Sequence, residues 1–314
     1  MPFFACVTSV FACFFAAEVC SFLLSVVLFL WFLCFVNTLF YVVLLYLNIF
    51  KVVFCMCRLY AFLFCCFTLC SAWCTEPPVV IAHRGGAWGV ENSLSCIAKC
   101  LAMGVEAVEV DVRVTRDSFL VVFHDARVDD LTDGRGKISS MTLAEVQALR
   151  LLDTAGRVTD ERVPTLEQIL AFVGGRCRLL IEVKDGSCGV EERLIDVINR
   201  YSASGWVGVQ SFSDAVLEKL YKLGAPFELE KLFVFKIPFL PVIFDGSLSL
   251  FSMKKYHYIS SFNINTCCLN AVLVRAMHKA GKRVKVWTPD APCDVPSLPV
   301  DGVITDYPWC WSAE

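Results

Sequence analysis

The chain has 314 residues, of which 57% are apolar, with 28 basic side chains, 31 acidic side chains and 18 cysteines. Charge is unevenly divided: residues 1–75 carry only Glu18, Lys51 and Arg58, and residues 76–314 carry the other 26 basic and 30 acidic side chains. That near-balance, without a Lys/Arg run, argues against a nucleic-acid partner, and the absence of a C-x-x-C pair after residue 75 argues against a structural zinc site.

Two units are therefore expected, a hydrophobic segment over 1–75 and a domain over 76–314 large enough for one full core. In the first, residues 21–46 are long enough to span a bilayer. Lys51 and Arg58 interrupt the pattern before a second apolar run over 59–73. Insertion of both runs would place the Lys51–Arg58 loop in the cytoplasm and the domain on the lumenal or extracellular side. A second reading starts translation at Met56. Met56-Cys57-Arg58, an apolar block over 59–70 and Ser71-Ala72-Trp73-Cys74 then have the layout of a secretory signal peptide. The chain as it stands reads first as membrane-anchored, and as secreted if Met56 is the true start.

The domain opens with a short apolar strand over 79–82, followed by His83-Arg84-Gly85-Gly86, where glycines release the backbone into a loop. A helix is expected from Leu94 to the stop at Gly104. Residues 106–112 alternate as a strand, with Val108, Val110 and Val112 on one face and Glu109 and Asp111 on the other. A polar turn leads to a strand over 119–123 ending at His124-Asp125. Six residues are too few for a parallel crossover, so these two strands form a hairpin. Thr142 to Glu145 reads as a capping box, and a further helix follows Pro164. Strands over 179–183 and 206–210 alternate with helices over 190–200 and from Ser213 to Leu223. Later strands are expected over 232–235, 258–263, 283–287 and 302–305, with a helix over 269–280.

Strands alternating with helices imply βα units and a mainly parallel sheet. Nine strands fit a TIM (β/α)8 barrel if one hairpin arm stands outside the eight. An open doubly wound sheet is the alternative, but the first turn lacks a G-x-G-x-x-G fingerprint.

The polar residues that stand out lie at the C-terminal ends of these strands: His83 and Arg84, Glu109 and Asp111, His124, Glu182 and Lys184, Ser211 and Trp287. In a barrel those ends meet at one mouth. Each alone has a plain structural explanation, a solvated acid, a core histidine or an ion pair. Together they make a site. Glu109, Asp111 and Glu182 offer hard oxygen ligands for Mg²⁺ or Ca²⁺. His83 and His124 can serve as general acid and base near neutral pH, in either order. Arg84 and Lys184 can bind phosphate oxygens, and Ser211 and Trp287 are expected to line the substrate pocket.

His83-Arg84-Gly85, Glu91-Asn92-Ser93, Glu109-x-Asp111, His124-Asp125, Pro164-Thr165-Leu166, Glu182-x-Lys184, Ser211-Phe212, Val286-Trp287-Thr288 and Thr305-Asp306-Tyr307-Pro308 follow one another in the order found in glycerophosphodiester phosphodiesterases. The chain resembles that family over residues 79–309, departing at Val90, where the family usually has proline. The resemblance implies a TIM barrel with a small insertion after His124-Asp125, over 126–150. It implies divalent-metal hydrolysis of glycerophosphodiesters or lysophospholipids, with His83 and His124 as the acid/base pair and Glu109, Asp111 and Glu182 as metal ligands. The attacking hydroxyl would be water or the substrate's own glycerol 2-hydroxyl. A different class of function, an inactive membrane-anchored barrel that binds lipid, is opposed by the presence of all five of these side chains. The apolar stretch 232–251 reads as a buried strand with a packed loop, or as a lip contacting an acyl chain. The sequence leaves the oligomeric state open.

Overall fold

The computed structural model describes residues 23, 25–38, 40, 77–184, 186, 189–233, 254–295 and 298–311. Contacts divide the chain into two units, Met1–Thr75 and Glu76–Glu314. In the first, residues 25–38 are helical and their side chains are exposed, including Trp31 and Phe35. Among the described residues no helix is long and apolar enough to cross a membrane. Most of the expected spans over 21–46 and 59–73, together with Met56, lies outside the described residues.

The second unit is built on eight parallel strands: β1 (Val79–Ala82), β2 (Ala107–Val114), β6 (Arg178–Val183), β7 (Val207–Ser211), β8 (Glu228–Phe233), β9 (Ser261–Asn265), β10 (Arg283–Trp287) and β11 (Gly302–Thr305). β1 pairs with both β11 and β2, so the sheet closes on itself as a barrel. The ninth strand, β3 (Leu120–Val122), pairs antiparallel with the end of β2, Val112 facing Val122, and stands outside the eight. This is the expected hairpin.

Helices α1 (Leu94–Ala102), α3 (Leu166–Val173), α4 (Val190–Arg200), α5 (Asp214–Lys222) and α6 (Ala271–Lys279) lie in the sequence between barrel strands. Capping side chains set where several of them begin. Ser93, Thr165, Ser213 and Asn270 each accept a hydrogen bond from a first-turn backbone N–H, and Gln168 completes a box at Thr165. The main core lies between this outer layer and the outward faces of the strands. Val108, Val110 and Val112 are fully buried there with Leu166, Ile169 and Leu194. Each such valine contributes roughly 1.5–3 kcal/mol relative to exposure. The same alternation turns Glu109 and Asp111 inward.

Between β3 and α3 the chain leaves the barrel. It forms α2 (Leu143–Ala148), started by the Thr142–Glu145 capping box, and an antiparallel pair, β4 (Arg150–Leu152) with β5 (Val158–Arg162). A second small core of Val128, Ile138, Val146, Leu151 and Val163 packs this excursion against Val121 and Phe123. The insertion thus runs past the expected 126–150, because β4 pairs with β5 and bridges Thr132, all within the excursion, rather than joining the barrel sheet. Two other boundaries also move. β8 begins at Glu228 and β9 ends at Asn265, whereas apolar periodicity placed them at 232–235 and 258–263. The residues that extend β8 include Glu230 and Lys231, both buried and charged.

Candidate active site

The register of the strands builds the site. β2 and β6 pair so that Asp111 faces Glu182, and Glu109 lies two residues earlier on the same inward face. Oxygens of Glu109, Asp111 and Glu182 come within 4.8 Å of one another, and all three residues are buried. Three anions this close need cations. Lys184 Nζ stands 2.7 Å from Glu182 Oε1 and 3.0 Å from Asp111 Oδ1. Arg84 Nε lies 3.3 Å from Asp111 Oδ2, while its Nη1 donates to Glu91 Oε1 and Oε2 at 3.2 and 3.1 Å. Asp111 Oδ1 and Glu182 Oε1 nevertheless have no hydrogen bond of good geometry, although both are buried. Three hard carboxylate oxygens converging on one buried point fit a Mg²⁺- or Ca²⁺-class cation.

The first loop is held onto this triad. β1 ends at Ala82, and Arg84, Gly85 and Gly86 take φ of 50°, 87° and 79°. A side chain is strained at such angles, and a Cβ on Gly85 would also stand 3.2 Å from Cys96 Sγ. The turn aims the Arg84 backbone N–H at Glu109 Oε2, at 3.0 Å. Asn92, itself at φ 57°, donates from Nδ2 to Asp111 Oδ2 at 2.9 Å and accepts from the Asp111 backbone N–H at 3.1 Å. Gln210 Nε2 donates to Glu109 Oε1 at 3.2 Å. Behind it, Asn263 donates to Gln210 Oε1 and Glu230 Oε2, and Lys285 pairs with Glu230, so the inward polar residues form one hydrogen-bonded chain.

Each of the two histidines at the site has a carboxylate on Nδ1. His83 Nδ1 meets Asp306 Oδ1 at 2.7 Å, and His124 Nδ1 meets Asp125 Oδ1 at 2.7 Å. A proton shared on Nδ1 leaves Nε2 of each ring for substrate. β3 brings His124 to the mouth: Phe123 N donates to Asp111 O, and Arg113 Nε donates to His124 O at 2.7 Å.

The charges push these groups in different directions. Burial, and then the adjacent Asp111 carboxylate, push Glu109 up to about 8. Burial also raises Glu182 on balance, against the opposing charge of Lys184. Burial would raise Asp111 too, but Lys184 and Arg84 bring it below its ordinary value. Burial alone would lower His83, yet the Asp306 hydrogen bond and the Glu109 charge carry it above the usual imidazole value. His124 ends below that value, because burial outweighs the Asp111 charge and Lys184 and Arg84 add to the lowering.

His83, Arg84, Glu109, His124, Glu182, Lys184 and Trp287 border one cavity of about 280 Å³, with Gln210, Phe212 and Leu232. Eight of the nine expected site residues therefore meet at the mouth, Asp111 beneath the cavity. Ser211 does not. Side chains alternate along β7, so Gln210 points into the barrel and Ser211 points away, donating to Val183 O at 2.8 Å and accepting from Ser213 N. Gln210, Asn92, Asp306 and Phe212 are the residues that sequence reading left without a role. Phe212 packs edge-on to Trp287 with centroids 5.7 Å apart.

Comparison with known proteins agrees with the barrel fold. The sequence profile of the glycerophosphoryl diester phosphodiesterase family matches residues 83–309. The chain is similar to YhdW of Bacillus subtilis (strain 168), with 30% identity over 242 residues, covering 73% of this chain and 94% of that protein. It is similar to a glycerophosphodiester phosphodiesterase of Caldanaerobacter subterraneus, 30% identical over 244 residues with the same shares covered. Its fold is similar to that of an Oleispira antarctica phosphodiesterase solved with the product sn-glycerol-3-phosphate, at a TM-score of 0.61 and 24% identity, covering 74% of this chain and 94% of that one. The chain belongs to the glycerophosphoryl diester phosphodiesterase family, a family of phosphoric diester hydrolases.

Proposed function

We propose that the barrel hydrolyses glycerophosphodiesters to glycerol 3-phosphate and an alcohol, with a divalent cation and the pair His83 and His124. The observation that carries this reading is the convergence of three buried carboxylates and two carboxylate-backed imidazoles on one cavity. Glu109, Asp111 and Glu182 would hold the cation, Mg²⁺ or Ca²⁺, which when bound supplies a Lewis acid for the phosphate. Arg84 and Lys184 give the non-bridging oxygens a cationic edge. His124, lowered and therefore neutral near pH 7, takes the proton of the attacking water as its oxygen bonds to phosphorus. His83, raised and held by Asp306, gives a proton to the departing alcohol oxygen as its bond to phosphorus breaks.

Lysophospholipids are the second substrate class, favoured by the apolar wall of Phe212, Leu232 and Trp287 on the same cavity. Residues 234–251 of the expected lip lie outside the described residues. The protein should release glycerol 3-phosphate from glycerophosphocholine, or choline from lysophosphatidylcholine. His124→Ala should lower turnover by about a hundredfold or more with the melting temperature little changed. Failure of both substrates with Mg²⁺, Ca²⁺ and Mn²⁺ present would return the reading to a lipid-binding barrel.

We also propose that residues 1–75 attach the protein to a membrane with the barrel on the lumenal or extracellular side. Supporting this are the three charges in that segment and an apolar helical stretch, 25–38, exposed on every side. Alkaline extraction and protease protection of the natural protein test it. Release into the soluble fraction would contradict the anchor, and N-terminal sequencing would identify a cleaved signal peptide.

A further inference from the structure

Buried polar side chains continue from Glu109 into the barrel, and strand register brings them together. Gln210 of β7 stands beside Glu182 of β6 on one side and Glu230 of β8 on the other. Asn263 of β9 stands beside Lys285 of β10. Gln210, Glu230 and Asn263 are at most 1% exposed, so each finds its partners inside the barrel. Every contact in this chain has a direction. Lys285 Nζ donates to both oxygens of Glu230, at 2.6 and 2.7 Å. A carboxylate paired with lysine only accepts. Asn263 therefore turns its NH2 group to Glu230, with Nδ2 donating to Oε2 at 2.8 Å. The same Nδ2 donates to Gln210 Oε1 at 2.7 Å, while the Asn263 oxygen accepts from Ser261 Oγ at 3.0 Å. With its oxygen taken, Gln210 presents Nε2 to Glu109 Oε1, at 3.2 Å.

We propose that Asn263 is a positioning residue for the cation site, fixing the Gln210 amide so that its NH2 group, and not its oxygen, faces Glu109. The inference rests on the reading of Glu109, Asp111 and Glu182 as cation ligands and adds the residue that orients one of them. An amide oxygen and nitrogen are nearly alike in size, so packing alone does not choose between the two orientations of Gln210. Asn263 chooses, because it donates in both directions and leaves Gln210 Oε1 nothing to do but accept. The consequence reaches Glu109 through its two oxygens. Arg84 N donates to Oε2 at 3.0 Å and Gln210 Nε2 donates to Oε1, so one donor on each oxygen sets the plane of the carboxylate. A Gln210 amide turned over would set its oxygen against Glu109 Oε1 in a buried setting, where two facing acceptors repel. Glu109 would then rotate away from the point it shares with Asp111 and Glu182. Hydrogen bonds to a ligating carboxylate typically govern about 10–100-fold in metal affinity.

The test measures cation binding by the full chain without substrate, by titration calorimetry with Mg²⁺ and with Ca²⁺ and by the rise in melting temperature that each produces. Asn263→Asp keeps the size of the side chain but offers at most one proton, so it cannot donate to Glu230 and Gln210 together. Its dissociation constant for the cation should rise about tenfold or more. A purely electrostatic influence acts in the opposite sense, because an added carboxylate attracts a cation. Gln210→Met, which removes the donor to Glu109, should weaken binding by a similar factor. Asn263 acts through Gln210, so the double variant should bind no more weakly than Gln210→Met alone. Binding by Asn263→Asp as tight as in the wild type, or losses that add in the double variant, would overturn the proposal. If Asn263→Asp does not fold, Gln210→Met decides by itself, and undiminished binding there overturns it. A wild-type protein that binds neither cation would overturn the cation site, and this inference with it.

Discussion

Replacing Asp306 by asparagine removes the charge that holds His83 without touching the carboxylate triad. The Nδ1–Oδ1 contact is 2.7 Å, within the range of a charge-assisted bond. Such bonds contribute about 1.5–3 kcal/mol. The Asp306 side chain is 42% exposed, so solvent screening places the effect near the lower end. A loss of about 1.5 kcal/mol from the transition state corresponds to about a tenfold fall in kcat/KM. The pH profile is the sharper readout. Burial, the largest influence on His83, favours the neutral ring, and the hydrogen bond and charge of Asp306 help to reverse it. Without them the folded protein releases the His83 proton at lower pH. If His83 is the acid, activity present below its pKa is lost as pH rises through it, so the alkaline limb of the variant moves to lower pH. The deficit should be small near about pH 6 and widen toward about pH 8. Glycerol 3-phosphate release across that range, with melting temperatures in parallel, measures it. A deficit that is equal at every pH, with an unmoved alkaline limb, would refute the assignment of His83 as proton donor.

Asn92→Ala strips Asp111 of two hydrogen bonds in a buried setting and should cost about 1–3 kcal/mol in denaturant unfolding. Turnover should fall as well, since Asp111 loses its orientation; normal turnover would show that Lys184 and Arg84 suffice to hold it. Leu166→Ala leaves a void at a fully buried site under α3 and should cost about 2–5 kcal/mol. Its catalytic constants per folded molecule should stay near wild type, because Leu166 packs behind the strands rather than inside the barrel.

The residues that were legible in the sequence are those whose environment is local. Val108, Val110 and Val112 announce an outer face by period-two alternation, and Glu109 and Asp111 follow onto the inner one. Thr142 and Thr165 announce helix starts because a cap acts within three residues. The closing of the barrel brings together residues that no local pattern connects. Asp306 reaches His83 across 223 positions and Gln210 reaches Glu109 across 101. Ser211 was expected in the pocket and Gln210 was not, because a one-residue error in strand phase exchanges the two faces. The start of β8 was missed for a related reason. Its polar residues look unsuited to a buried strand until their partners are known: Glu230 is met by Lys285 and Asn263. Polar β5, with its side chains largely exposed, carries little apolar alternation to mark it as a strand.

Release of glycerol 3-phosphate from glycerophosphocholine, measured after divalent ions are stripped and again after Mg²⁺ or Ca²⁺ is restored, tests most directly that Glu109, Asp111 and Glu182 form a working metal site. The stripped protein should be inactive yet folded, because the triad keeps its contacts to Lys184, Arg84, Asn92 and Gln210. Added cation should restore turnover, and Glu182→Gln should need a higher concentration to reach half of its maximum. Full turnover in the stripped wild-type protein would contradict the account.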